Sequence, residues 1–257
     1  MAVQEIGGLE AAQKLSRRQL SWRAAQEIDE GLYVNLGIGF PEMVAKFQPE
    51  GKQAIFHTEN GAVFTPENLQ RFRLIVLNHK SGTVWTPDQR QALKDYVESG
   101  GTLLAQHAAG GDQGYDWSWY FDQVLRAQFV DHPMVEHIQQ ATLVVEDRSH
   151  PATAHLPGAW IRRDEWYNFV SSPRANTQVL ISIDEATYDP ETSPMGADHP
   201  MVWWHWVGKG RVFYSALGHT TDTYQEPQFR DFIKGAITWG LAAPDSNEGE
   251  GANNDEL

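Results

Sequence analysis

The chain contains no cysteine. That excludes disulfides, thiolate nucleophiles and cysteine-ligated zinc together. No apolar run approaches the roughly 18 residues of a membrane span. The start of the chain lacks the basic-then-apolar order of a secretory signal, so a cytoplasmic location is the default expectation. Positive charge is scarce: 20 Lys and Arg stand against 34 Asp and Glu, for a net charge of −14. Nucleic-acid binding relies on clustered cations that neutralise phosphates, and no basic run is present, so no nucleic-acid partner is expected. A G-x-S-x-G nucleophile elbow is also missing, which removes the usual serine nucleophile.

The 257 residues are 41% hydrophobic, the composition of a globular protein with a real core. A single α/β domain over residues 1–243 is expected. Five acidic residues (Asp245, Glu248, Glu250, Asp255 and Glu256) fall in the last thirteen positions among Gly, Asn, Ser and Pro. Residues 244–257 therefore read as a disordered acidic tail. Seven of the ten tryptophans lie between residues 117 and 206. Their rings suit both core packing and stacking on sugars, and packing is the commoner use.

Residues 9–30 are rich in helix formers, with Leu15, Leu20, Ala24 and Ile28 at helical spacing, and Gly31 stops the pattern. YVNLGIG (33–39) and KQAIFH (52–57) read as strands, with a short helix opened by Pro41 between them. RLIVLN (73–78) is apolar nearly throughout, as a central parallel strand should be. TPDQRQALKDYVESGG (86–101) carries a Thr N-cap, Pro at the first helical position and a terminal Gly. Strands follow at 102–107, 141–147, 177–183, 201–207 and 210–217, and helices at 117–129 and 228–242. Strands separated by helices of this length imply βαβ units and a parallel sheet. The strand-rich second half suggests antiparallel strands added at one edge.

The segment FTPENLQRFRLIVLNHKSGTVWTPDQRQALKDYVESGGTLLAQHAAGGD resembles the ThuA-like (trehalose-utilisation) family. VEDRSHPATAHLP, RRDEWYNF, ADHPMVWWHWVGKGRVFYSALGHT and FRDFIKGAITWG fit the same pattern in the same order, covering residues 64 to 240. The resemblance implies a flavodoxin-like fold related to class I glutamine amidotransferases, an open and mostly parallel sheet with helices on both faces. It also implies a link to sugar catabolism, with trehalose and 3-keto sugars as the substrate class. Residues 13–62 are similar instead to the start of a 3-oxoacid CoA-transferase β-subunit. In that family the glutamate of the S/T-E-N-G motif attacks the acyl-CoA, which here would be Glu59. The rest of that fold is missing, so the segment reads as a donated helix and first β-α-β unit, with Glu59 a loop residue.

In an open α/β sheet, ligands bind beyond the carboxyl ends of the strands. His107 ends the strand TLLAQ and begins the loop HAAGGDQG, at the place where amidotransferase relatives carry a cysteine nucleophile. Imidazole there is a base or a metal ligand, or simply a partner for the backbone. Gly110, Gly111 and Gly114 let the loop approach a ligand closely. His219 follows another strand end in the same way. RRDEWYNF gathers Arg162, Asp164, Glu165 and Tyr167, a quartet that is costly to bury unless paired and that could equally be a surface ion-pair patch. His199 precedes a strand, with Pro200 fixing the approach. Asp116, Trp117 and Trp119 are candidates to line a pocket or to pack in the core.

His107, Glu165, His199 and His219 together would make a three-His, one-carboxylate set suited to Zn²⁺ or a similar divalent ion. No short-spaced metal signature is present, and nothing points to a nucleotide cofactor. Without a metal, His107 and Glu165, with His219, could work as acid and base. Arg162, Tyr167, Asp116 and Trp117 would contact the substrate. The other seven histidines read as structural. The leading expectation is an enzyme on a small sugar or sugar derivative, a hydrolase or isomerase. The alternatives are a metal- or histidine-dependent hydrolase of esters, lactones or amides, and a carbohydrate-binding domain without catalysis. No membrane partner is expected, and a homodimer is the default for assembly.

Overall fold

Strands β1 (Tyr33–Leu36) and β2 (Ile55–Thr58) pair in parallel register, Tyr33 opposite Ile55 and Leu36 opposite Thr58. They overlap the two amino-terminal strands expected from sequence, and β2 runs beside β3 (Leu74–Asn78). The computed structural model describes residues 33–36, 55–58, 64–81, 85–111 and 116–242. The helix expected at 9–30, the short helix opened by Pro41, Glu59 and the tail 244–257 lie outside the described residues.

Local chemistry sets the helix boundaries. In the four-residue α1 (Pro66–Leu69), Thr65 accepts the Asn68 N–H and proline occupies the first turn. In α2 (Pro87–Glu98), Thr86 and Gln89 form a reciprocal capping box, each side chain accepting the other's backbone N–H. Gly210 packs against the end of this helix so tightly that a Cβ would stand 2.0 Å from the Val97 carbonyl oxygen. The backbone approach there requires glycine. The stretch expected as a helix at 117–129 is helical over its middle, with a π-type turn at Tyr120–Leu125 that ends on left-handed Arg126.

The main sheet has seven strands in the order β3, β4 (Thr102–Gln106), β11 (Gly210–Ser215), β10 (Pro200–Val207), β9 (Gln178–Asp184), β6 (Gln139–Val145) and β7 (Ala159–Asp164). Within it only β3, β4 and β11 pair in parallel; the four remaining pairings are antiparallel. The sheet is therefore mixed, which corrects the mostly parallel sheet expected. The reason lies in the connections. Among the described residues no α-helix stands between β4 and Pro227, and strands that follow one another without a crossover helix pair as antiparallel neighbours. A separate short ladder joins β5 (Phe129–Asp131) to β8 (Asn168–Phe169).

Tryptophan and phenylalanine fill both faces of the sheet. On one, Phe213 meets Phe232 and Trp239 of α3 (Pro227–Leu241), and Trp204 meets Trp239. On the other, Trp203 packs on Tyr214 and Phe169 and donates its indole N–H to the Leu125 carbonyl. Buried residues from Phe64 to Trp239 form one hydrophobic cluster.

Asp131, at the end of β5, ties the loops on this side together by accepting from Asn168, Thr192 and Ser193. Burial pushes its carboxyl up, but those hydrogen bonds and neighbouring His132 outweigh that, and the net shift is below the usual range. A depressed folded value contributes stability above the unfolded value that is lost as pH falls through the folded one. Thermal melts between pH 7 and pH 3 are expected to show a smaller acid-induced loss of stability in Asp131→Asn than in the wild type, from a lower starting stability.

Candidate functional site

The three parallel strands of the main sheet each run out into a left-handed residue. His79 (φ 54°) follows β3, His107 (φ 50°) follows β4, and Gly218 (φ 101°) lies just beyond β11. Left-handed backbone at a non-glycine residue costs on the order of 1 kcal/mol and clusters at functional sites. The strand ends are also cross-linked. The Tyr224 hydroxyl donates to Asn78 Oδ1 at 3.1 Å, and Gln106 Nε2 donates to that hydroxyl at 3.1 Å. His79 Nε2 donates to the Gly218 carbonyl at 2.7 Å. The imidazoles of His79 and His107 are stacked, with centroids 4.9 Å apart.

Asp164, at the end of β7 and fully buried, holds this rim to the far edge of the sheet. Its carboxylate accepts the backbone N–H groups of Glu165, Gly218 and His219 at 3.0, 2.8 and 2.9 Å. Arg162 supports it from below. Arg162 Nη2 lies 3.2 Å from Asp164, bonds Thr223 and Glu226, and its guanidinium stacks on Trp160 and Phe229. Burial lowers the Arg162 pKa, and the carboxylates of Asp164 and Glu226 oppose that shift.

The clamp brings His219 beside Glu165. Glu165 Oε2 lies 3.1 Å from His219 Nδ1 and 3.5 Å from His107 Nε2, and its Oε1 lies 3.6 Å from His132 Nε2. His137 meets His219 edge-on at 6.1 Å. His107 is buried, with Nδ1 3.0 Å from the Tyr167 hydroxyl and Nε2 without a hydrogen-bond partner. Burial, reinforced by His79, His219 and His132, holds its pKa well below the ordinary histidine value. A neutral imidazole with a free nitrogen facing a buried carboxylate is a donor set that could hold a cation. Two atoms bound tetrahedrally at about 2.1 Å to one ion stand about 3.4 Å apart. The 3.1 and 3.5 Å separations match that spacing, and the ligand atoms of His107, Glu165 and His219 all lie within 4.8 Å of one another.

His199 does not join them. Its Nδ1 lies 2.8 Å from Glu185 and its Nε2 lies 2.7 Å from the Tyr167 carbonyl, so both ring nitrogens are spent. It fixes the backbone of the residue that orients His107, which replaces the expected ligand role. Arg162 and Tyr167 likewise support the site from behind, through Asp164 and His107. Asp116 forms an exposed ion pair with Arg90. Trp117 stacks on Trp119 and Tyr120 and meets Trp85 edge-on, a packing role. Gly110 and Gly111 are needed for close approach: a Cβ at either would stand within 2.6 Å of the Tyr214 or Tyr167 ring.

Sequence reasoning missed His79, His132 and His137, which it left as structural. His79 could have been found, because it follows RLIVLN as His107 follows TLLAQ. The HPMVEH loop carries no comparable signal.

The α/β class expected from the sequence holds, with a mixed sheet and with histidines and a carboxylate gathered beyond its strand ends. The family model for ThuA, trehalose utilisation, matches residues 25–240, and the chain belongs to that family. A ThuA-like protein from Bacteroides uniformis superposes with a TM-score of 0.65 at 20% identity, covering 93% of this chain and 98% of that one. One from Parabacteroides merdae gives 0.59 at 18% identity, covering 85% and 94%. At these identities the likeness is one of fold. The amino-terminal similarity is of another kind. It is 52% identity over 48 residues to one of the subunits of 3-oxoadipate CoA-transferase from Acinetobacter baylyi, 19% of this chain and 22% of that relative. The chain spans about a fifth of the length of the curated relatives it matches.

Replacing Asp164 removes the clamp and leaves Arg162 buried without its main partner. Asp164→Ala is expected to cost about 3–5 kcal/mol in urea unfolding. His219→Ala, at a side chain one-third exposed (37%), is expected to stay within about 1 kcal/mol of the wild type.

Proposed function

We propose that the chain is a metal-assisted enzyme acting on a sugar or sugar derivative, as a hydrolase or isomerase, with His107, Glu165 and His219 as its working residues. One observation carries this reading: the buried Glu165 carboxylate faces the unpartnered Nε2 of His107 and the Nδ1 of His219 at metal-ligand spacing. Membership of the trehalose-utilisation family supports the substrate class.

The roles follow from position. His107 stays neutral through burial and presents Nε2, while Tyr167 holds the opposite nitrogen and so fixes the ring plane. Glu165 supplies the negative ligand. His219, the most exposed of the three, stands at the solvent side of the group. A divalent ion held here would polarise a carbonyl oxygen or lower the pKa of a bound water, the two services that a keto-sugar isomerase or a water-using hydrolase needs. A hydrolase of esters, lactones or amides would use the same residues, so substrate profile separates the two.

Metal content and turnover test the reading. The wild type is expected to bind about one Zn²⁺ or similar ion per chain, and Glu165→Gln to lose more affinity for it than the about 10–100-fold typical of an outer-shell change. Turnover of trehalose, its 3-keto derivative or a related glycoside is expected to fall by about 10²–10⁴ in His107→Ala. Equal turnover by wild type and His107→Ala, or chelator-sensitive activity on acyl substrates alone, would sink it.

A further inference from the structure

Glu165 has two oxygens, and the ligand group just described uses one. Oε1 faces Nε2 of His132 at 3.6 Å, too far for a hydrogen bond between them. His132 Nδ1 lies 2.9 Å from the Pro133 carbonyl oxygen. A carbonyl only accepts, so a ring with a single proton carries it on Nδ1 and leaves a lone pair on Nε2. Two acceptors thus stand side by side, an arrangement that wants donors from outside.

The His132 ring is held in place. It stacks on Tyr167 at 6.2 Å, with Phe129 at the same distance on a tilt. The loop that follows is clamped at several points. The Glu191 carboxylate accepts the backbone N–H groups of Met134 and Val135 at 2.9 and 2.8 Å, and Arg163 donates to the Ile138 carbonyl at 2.8 Å and pairs with Glu136. The His132 side chain is one-quarter exposed (24%), so the pair of acceptors can be reached from solvent.

We propose that Glu165 Oε1 and His132 Nε2 form a paired-acceptor subsite for two neighbouring hydroxyls of a sugar ring, making His132 a substrate-contacting residue and not a metal ligand. The inference rests on the sugar-enzyme reading above. One hydroxyl donates to the carboxylate oxygen and its neighbour to the imidazole. A phosphate or carboxylate would meet two lone pairs, one of them charged, and be repelled; adjacent hydroxyls bring two donors at short separation. Because the loop is clamped before any ligand arrives, little ordering cost falls on binding.

Calorimetry with trehalose, methyl α-glucoside and the monodeoxy derivatives of methyl α-glucoside tests this on the full chain. The wild type is expected to bind the parent glucoside about tenfold more tightly than at least one monodeoxy derivative. His132→Ala is expected to lose that discrimination and bind the parent about tenfold more weakly, with the melting temperature and zinc content of the wild type. Retained discrimination in His132→Ala, or loss of its zinc, overturns the inference and leaves the sugar reading standing. A wild type that binds neither trehalose nor methyl α-glucoside overturns both.

Discussion

The carboxylate of Asp164, accepting three backbone N–H groups inside the protein, is the contact on which the site's geometry depends. It joins the last residue of β7, the outer edge strand, to the loop after β11, four strands away across the sheet. Without it, Glu165 and His219 have no reason to meet. A buried charge is tolerated only when its lone pairs are filled, and here the backbone fills most of them while Arg162 neutralises the rest. The same residue is therefore the anchor of the fold at this edge and the device that places two of the three ligand-type side chains.

Asp164 is the most buried example of a recurring habit. Glu185 accepts the N–H groups of Met195 and Gly196, Glu191 those of Met134 and Val135, Asp184 that of Ala186 and Asp189 that of Glu191. Charge-assisted bonds of this kind are shorter and stronger than neutral ones. A chain whose second half joins its strands through loops instead of α-helices has many loop N–H groups without ladder partners, and carboxylates satisfy them. Part of the net negative charge is thus structural. The excess of acid over base that sequence alone offers only as an argument against nucleic acid has a second meaning in the folded chain.

The legible part of the fold was the part governed by local rules. β3, α2, β4, β10, β11 and α3 each announce themselves by hydrophobic runs, caps or flanking glycines, and His107 and His219 follow from reading what comes after a strand. The strand-rich second half did announce antiparallel strands at one edge, but the order of the strands was not legible, because which strands become neighbours is decided by tertiary pairing. AWIRRD, whose inward positions include Arg162 and Asp164, does not read as a strand at all. His199 misled for a related reason. A histidine before a strand looks available, yet Glu185 and the Tyr167 carbonyl claim both of its nitrogens, and neither partner is near it in a way that spacing reveals.

The arrangement at the strand ends is hard to explain as packing alone. A protein selected only for stability would place Gly or Asn at the left-handed positions after β3 and β4, since either accepts φ near 50° at less cost than an imidazole. It would not bury a nitrogen of His107 without a partner, a defect of roughly 1–3 kcal/mol, opposite a carboxylate that receives no hydrogen bond at that point. Strain at His79 and His107, the orphaned nitrogen and the buried Glu165 all fall on one rim. His79 offsets part of its strain by donating to the Gly218 carbonyl, but the orphaned nitrogen of His107 and the carboxylate facing it have no structural return where they stand. A cation or a polar ligand between His107, Glu165 and His219 would turn the last two from defects into contacts, with the Tyr167 hydroxyl on Nδ1 holding the His107 ring toward that position.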